Sequence, residues 1–243
     1  MSKDEIFATP QSQIVDFVFD KQVVAVFPNM IRRSVPGYET VIPMTGLMAA
    51  RHLNAGDTAY DLGCSLGATT LAILQQTTSP NVSVIGVDNA PAMIAQAREQ
   101  LNDPRARFEC ADLTEFAVTD AKVVVLNFVM QFLPPAARLP LLQRLRSQMR
   151  SDGLLIVSEK THQSDADVQK FYDSTHLAWK RANGYSELEV SQKRQSLEQV
   201  MIVDSEEIHN QRFSDAGFAH SQTWFRCMNW ASFLVEPERP QQQ

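Results

Sequence analysis

The stretch DTAYDLGCSLGATTLAI, Asp57 to Ile73, decides how the rest of the chain is read. An apolar run ends in Asp61, a turn containing Gly63 and Gly67 follows, and small residues then open an amphipathic helix. This is the pattern of the first strand, tight loop and first helix of a nucleotide-binding α/β domain. The two glycines let the backbone turn sharply and approach a ligand with no Cβ in the way. The loop is therefore where a cofactor is expected.

Its spacing bears on which cofactor. A dinucleotide fingerprint reads G-x-G-x-x-G with the pyrophosphate on the helix N-terminus, and Asp61-Leu62-Gly63-Cys64-Ser65-Leu66-Gly67 matches that poorly. An acid two residues before the first glycine, and two glycines four apart, resemble motif I of the class I S-adenosylmethionine methyltransferases. That motif usually has a glycine where Ser65 stands. A bland strand-to-helix turn would use the same residues, so the flanking sequence has to decide.

Downstream, VSVIGVD (Val82 to Asp88) is again an apolar run ending in acid, as in a buried parallel strand. Asp88 lies 21 residues beyond Gly67, where a carboxylate can accept hydrogen bonds from both ribose hydroxyls. It also suits the cap of a helix starting around Asn89, Ala90 and Pro91. ARFECAD (Ala106 to Asp112) is a third strand ending in aspartate. There Asp112 could accept from an adenine amine while Leu113 packs on the ring, although a turn aspartate reads the same way. KVVVLNF (Lys122 to Phe128) is the most apolar strand, and Asn127 near its end is a site candidate because an amide in such a run needs a partner. GLLIVS (Gly153 to Ser158) supplies a fifth strand. Strands and helices alternating in this way predict an α/β, doubly wound, mostly parallel Rossmann-like sheet of seven strands. Asp61, Asp88 and Asp112 then line one edge of it.

Upstream, an apolar run at Ile14, Val15, Phe17, Val18 and Phe19 precedes QVVAVFPNMI, which Pro28 interrupts. Arg32 and Arg33 lead into Pro36-Gly37-Tyr38, a turn presenting an aromatic residue. Met44 to Leu53 reads as a short amphipathic helix, and residues 1 to 53 as a helical lid over the cofactor loop. From Lys160 to Gly217 a charged, helix-forming insertion replaces a short connection. Val168, Phe171, Tyr172 and Leu177 form its apolar stripe, Asn183-Gly184 ends the first helix, and Ser186 with Glu189 is a capping box for the next, which carries Lys193 and Arg194. Asp204 with Glu207 caps another helix, Phe218 to Val235 gives two antiparallel edge strands, and EPERPQQQ reads as a disordered tail. The whole is expected to form one domain.

The 243 residues carry a net charge of -6, which argues against direct nucleic-acid binding. Cys64, Cys110 and Cys227 are scattered and odd in number, so neither a disulfide framework nor a metal site is suggested. The N-terminus MSKDEIFATPQSQ lacks an apolar core of signal-peptide length and no stretch is apolar enough for a membrane span. A cytoplasmic protein is expected, with no membrane association.

Five segments go beyond generic motifs: VFPNMIRRSVPGY (Val26 to Tyr38), YDLGCSLGA (Tyr60 to Ala68), VDNAPAM (Val87 to Met93), VVVLNFVMQFL (Val123 to Leu133) and KRANGYSELEVSQKR (Lys180 to Arg194). In these the chain, from about Phe19 to Phe233, resembles the carboxy-S-adenosyl-L-methionine synthase family of the methyltransferase superfamily. The resemblance implies that S-adenosyl-L-methionine and prephenate are converted to carboxy-S-adenosyl-L-methionine and phenylpyruvate. The product would feed a separate carboxymethyltransferase acting on the wobble uridine of transfer RNA. It implies cofactor contacts at Tyr38, Gly63, Cys64, Ser65, Asp88, Asn89, Asp112, Leu113, Asn127 and Arg194, with Arg194 and Tyr38 at the reacting centre, and it implies a homodimer. Phe108 to Asp120 matches the family less well. Cys64 and Ser65 stand as in the family, which accounts for the missing motif I glycine.

The chemistry gives Arg194 a role: its guanidinium can hold the new carboxylate bidentately, whereas it would repel a bare sulfonium. No histidine or glutamate in the matched segments must serve as base. The hydroxide leaving prephenate can take the methyl proton, so the protein mainly positions and desolvates. Arg32, Arg33 and Tyr38 are candidates for holding the prephenate dianion. An orthodox small-molecule methyltransferase and a catalytically silent adenosyl-ligand binder remain the alternative readings.

Overall fold

A computed structural model describes residues 3–11, 16–197 and 200–238 of the chain. Two helices, α1 (Lys21–Ser34) and α2 (Tyr38–His52), precede the sheet. β1 (Thr58–Leu62), α3 (Ala68–Gln76), β2 (Ser83–Asp88), α4 (Pro91–Gln100), β3 (Ala106–Cys110) and β4 (Ala121–Asn127) follow. Then come α5 (Pro135–Gln148), β5 (Met149–His162), the insertion helices α6 (Ala166–Ala182) and α7 (Glu187–Leu197), a two-residue β6 (Asp204–Ser205), α8 (Glu206–Asp215), β7 (His220–Cys227) and β8 (Trp230–Glu236).

The seven-strand path runs β3-β2-β1-β4-β5-β8-β7. Its first five strands are parallel, and β8 joins β5 and β7 antiparallel. The short β6 pairs off this path with the end of β5. Period-two alternation divides each central strand between two cores. Val124, Leu126, Leu155 and Val157 face the layer of α5 and α8, while Val123, Val125, Leu154 and Ile156 face that of α2 and α3. Order reverses between β1 and β4, which opens the crevice at their carboxyl ends where ligands bind in such sheets.

Several local expectations change. α1 runs unbroken through Pro28, because Val23, Val26 and Met30 bury against Met93 and Ala90, and that packing outweighs one missing backbone bond. The helix before β1 starts at Tyr38, not Met44. β3 stops at Cys110, so Asp112 stands in the following turn. Of the two C-terminal strands β7 alone lies at an edge, since β8 is paired on both sides. Ser205, not Asp204, caps α8 by accepting from the Ile208 N–H, because Asp204 is taken up by Arg138 and Arg212. The Ser186–Glu189 capping box is present in both directions, at 2.7 and 3.2 Å, and α6 ends at Asn183-Gly184. Ile14, Val15 and most of the predicted tail lie outside the described residues.

α6 turns Val168 and Phe171 outward and buries His176 and Lys180 instead. Among the described residues no helix is long and apolar enough to cross a membrane.

Candidate active site

The loop after β1 is built by hydrogen bonds that bring β1, β2 and α3 into one corner. Asp61, buried at the strand tip, accepts the Thr70 N–H at 2.9 Å and its hydroxyl at 2.7 Å on a single oxygen, Oδ2. Burial raises its pKa from 3.8 to about 6, against the pull of those two bonds, and the charge of Asp88 adds to the rise. Gly63 sits at φ +76° and donates its N–H to the Val87 carbonyl at 2.7 Å. A Cβ there would lie 2.4 Å from Val129 Cγ2, so no other residue fits. The Cys64 thiol is buried and its pKa is pushed up by burial and then by the Asp61 and Asp88 charges, which leaves it packed and unreactive.

Ser65, also left-handed at φ +50°, donates its N–H to Asp88 Oδ2 at 2.9 Å and its hydroxyl to Met93 Sδ at 3.4 Å. Asp88 Oδ1 takes the Ala90 N–H at 2.9 Å. Asp88 therefore locks the loop to the β2–α4 turn, yet each oxygen keeps a lone pair for ribose hydroxyls. Burial raises its pKa against these amide bonds. Asn89 beside it is exposed.

Tyr38, at the start of α2, and Phe128, just past β4, close the other side with rings 6.2 Å apart. Phe128 is held at φ +62°, with its N–H on the Ser158 carbonyl at 2.6 Å. Burial, with the Asp61 charge, drives the Tyr38 pKa upward, so the phenol is a donor and not a phenolate. Asn127 gives its Nδ2 to Thr69 Oγ1 at 3.1 Å, while its Oδ1 is buried with no partner among the described residues. Such an orphan acceptor asks for a ligand donor. A cationic adenosyl ligand suits it: Asp61 and Asp88 supply negative charge, and Asn127 an acceptor for an ammonium.

Asp112 and Leu113 follow Ala111, whose N–H bonds to the Asp88 carbonyl at 3.0 Å. Asp112 is exposed and commits Oδ1 to the Thr114 N–H and hydroxyl, both at 2.7 Å, which holds its pKa below the usual carboxylate range. Leu113 is buried in the main core.

A further layer comes from β5. Glu159 is fully buried, and its carboxylate accepts the N–H groups of Val129, Met130 and Gln131 at 3.0, 2.7 and 3.1 Å, so it shapes the loop that follows Asn127 and Phe128. Lys160 comes next, its N–H on Gln131 Oε1 at 3.0 Å. Arg194 is exposed on α7, and its charge acts on both Lys160 and Lys180. Lys193 points the opposite way into an internal network with Asp4, Ser34 and Tyr185. Arg33 does not face the site as expected. It is buried, bonded to Asn183 O, Asp4 O and Asn29 Oδ1, and laid 3.7 Å over the Tyr185 ring. Arg32 is more exposed and pairs with Glu39 at 3.4 Å.

Comparison with known proteins bears on the family. Residues 59–153 match the family model described as "Methyltransferase domain". A carboxy-S-adenosyl-L-methionine synthase of Geobacter metallireducens is 50% identical over 237 residues, covering 96% of this chain and 97% of its own. One from Aeromonas hydrophila subsp. hydrophila is 47% identical over 247 residues, covering 98% and 99%. The chain belongs to the carboxy-S-adenosyl-L-methionine synthase family. Human N-acetylserotonin methyltransferase, solved in complex with SAM, shares the fold at TM-score 0.59 and 15% identity, with 89% of this chain and 55% of that one covered.

In this synthase-family chain the structure gathers Gly63, Cys64, Ser65 and Asp88 into one corner and sets Tyr38 beside Phe128, with Asn127 next to it in the chain. Sequence reasoning missed Phe128, Glu159, Lys160, His176 and Lys180. The charged pair Glu159-Lys160 directly after the apolar run GLLIVS was the available signal for two of them. Lys180 opens the segment KRANGYSELEVSQKR, and His176, one turn before it on the helix, gave no signal of its own.

Proposed function

We propose that this protein converts S-adenosyl-L-methionine and prephenate to carboxy-S-adenosyl-L-methionine and phenylpyruvate. Prephenate loses carbon dioxide and hydroxide as its ring becomes aromatic. The carbon dioxide is captured on the sulfonium methyl group, and the methyl proton leaves with the hydroxide as water, so the atoms balance. The chain's own groups bind and orient. Asp88 takes the ribose, Asn127 and Asp61 favour the cationic end of the ligand, and Tyr38 with Phe128 keeps water from it. Arg194 takes the carboxylate of the product.

The observation that carries the reading is the set of cations at the carboxyl end of β5. Burial lowers the proton affinity of Lys160 and Lys180, and the charge of Arg194 adds to the fall at both. A site that only transfers a methyl group from a sulfonium has no use for such charge, whereas an acidic substrate and a carboxylated product do. The product would supply a separate enzyme that carboxymethylates the wobble uridine of transfer RNA, in the cytoplasm, with this chain acting as a homodimer.

Mass spectrometry of purified protein incubated with S-adenosyl-L-methionine and prephenate tests this. The expected species is S-adenosyl-L-methionine plus carbon dioxide, lost in Arg194→Ala. Unchanged S-adenosyl-L-methionine, or methyl transfer without prephenate, would refute it.

A further inference from the structure

Lys180 is out of keeping with its surroundings. It is only 7% exposed, yet among the described residues its ammonium has no ion-pair partner and makes no hydrogen bond. Lysines are almost never buried to that degree unless paired. The other buried lysines here are matched: Lys122 reaches Asp152 at 2.7 Å and Lys193 reaches Asp4 at 3.4 Å. The charges acting on Lys180 come from Lys193, Lys160 and Arg194, all of its own sign. Lys160 is half-buried and also lacks an ion pair among the described residues. Asp173 is the acid that acts on it. The cluster thus holds more positive charge than its own carboxylates neutralise, and burial lowers the pKa of both lysines, that of Lys180 to about 7.

Its place in the fold makes the imbalance meaningful. Lys160 lies two residues past Ser158, the register partner of Asn127, so it emerges at the ligand edge of the sheet. Its ammonium is 5.6 Å from the centre of the Trp230 ring, which meets His176 edge to face at 4.5 Å. His176 is one helical turn before Lys180, and its Nε2 is 2.9 Å from the Ser34 carbonyl, four residues before Tyr38. Burial and the neighbouring lysines keep that imidazole neutral, with a pKa of about 3, so it adds no further charge. The cations are therefore joined to Asn127 through β5 and to Tyr38 through the α1–α2 turn.

We propose that Lys160 and Lys180 bind the carboxylates of the acidic co-substrate, leaving Arg194 for the carboxylate formed on the product. This rests on the reaction assigned above, which makes that co-substrate a dicarboxylate. A buried and a half-buried lysine, each already partly withdrawn from water, are suited to two carboxylates, since less water has to be stripped from them on binding.

Calorimetric titration of prephenate into the full chain saturated with S-adenosylhomocysteine tests the subsite, with Lys160→Met, Lys180→Met and Lys160→Arg beside the wild type. Each methionine variant is expected to weaken prephenate binding about tenfold or more. Affinity for S-adenosylhomocysteine should be unchanged, and Lys160→Arg should keep most of the prephenate affinity. Lys180→Met should melt no lower than wild type, since it removes an uncompensated buried charge. Prephenate affinity unchanged in both methionine variants, or no prephenate binding by the wild type, would overturn the subsite. Prephenate binding without any carboxylated product refutes the assigned reaction while leaving the subsite standing.

Discussion

Asp61→Asn should make the ligand-free protein more stable at neutral pH and a poorer binder of its cationic ligand. Both bonds from Thr70 fall on Oδ2, so an amide carbonyl in the same rotamer can accept them both. What the substitution removes is the cost of ionising a carboxyl that is 2% exposed. Its pKa of about 6 in the fold, against 3.8 ordinarily, corresponds to about 3 kcal/mol at ~1.36 kcal/mol for each power of ten in proton affinity. The sign follows from linkage. The folded state binds the proton more tightly, so the contribution of Asp61 is fully present below about pH 4 and is lost as the pH rises through about 6. Urea unfolding of both proteins without ligand, from pH 4 to pH 8, should show no gap at the acid end. The variant should gain about 2–3 kcal/mol at the other. Removing that negative charge from the cofactor corner should weaken S-adenosyl-L-methionine binding about tenfold, the order of magnitude of one charge pair at an effective dielectric near 20. A stability gap that stays flat across this pH range, or a wild type more stable at pH 8, would refute the reasoning.

Gly63→Ala should cost about 2 kcal/mol or more and abolish ligand binding, since the new methyl meets Val129 Cγ2 at 2.4 Å in a backbone held at φ +76°. Equal denaturation midpoints for variant and wild type would contradict it. Arg138→Met should destabilise by about 3–5 kcal/mol. The fully buried Arg138 bonds to Asp204 and to the carbonyls of Leu133 and Ile202 at 3.0 and 2.8 Å, ties that anchor the end of the insertion to α5. A melting temperature within a degree or two of wild type would show those ties to be dispensable.

The cofactor loop was legible because its determinants are neighbours in the chain. Asp61, Gly63 and Ser65 lie within five residues, and two of those positions need a left-handed backbone. The capping box of α7 was legible for the same reason: Ser186 and Glu189 bond to each other across three residues. The break predicted at Pro28 failed because the cost of a proline is local while the burial that offsets it belongs to α4. Arg33 was a candidate for holding the prephenate dianion, and Lys193 was one of the charges carried by an insertion helix. Both are internal, because Asp4 reaches them from 29 and 189 residues away.

The order of strands and helices, the acidic ends of the first two strands and the glycine turn were determined by the sequence alone, since alternation of apolar residues and the conformational freedom of glycine act over a few residues. The charge balance around Lys160 and Lys180 was decided only by the tertiary structure. Desolvation and ion pairing depend on what is near in space, and α6, α7 and β5 meet there from positions as far apart as Lys160 and Arg194.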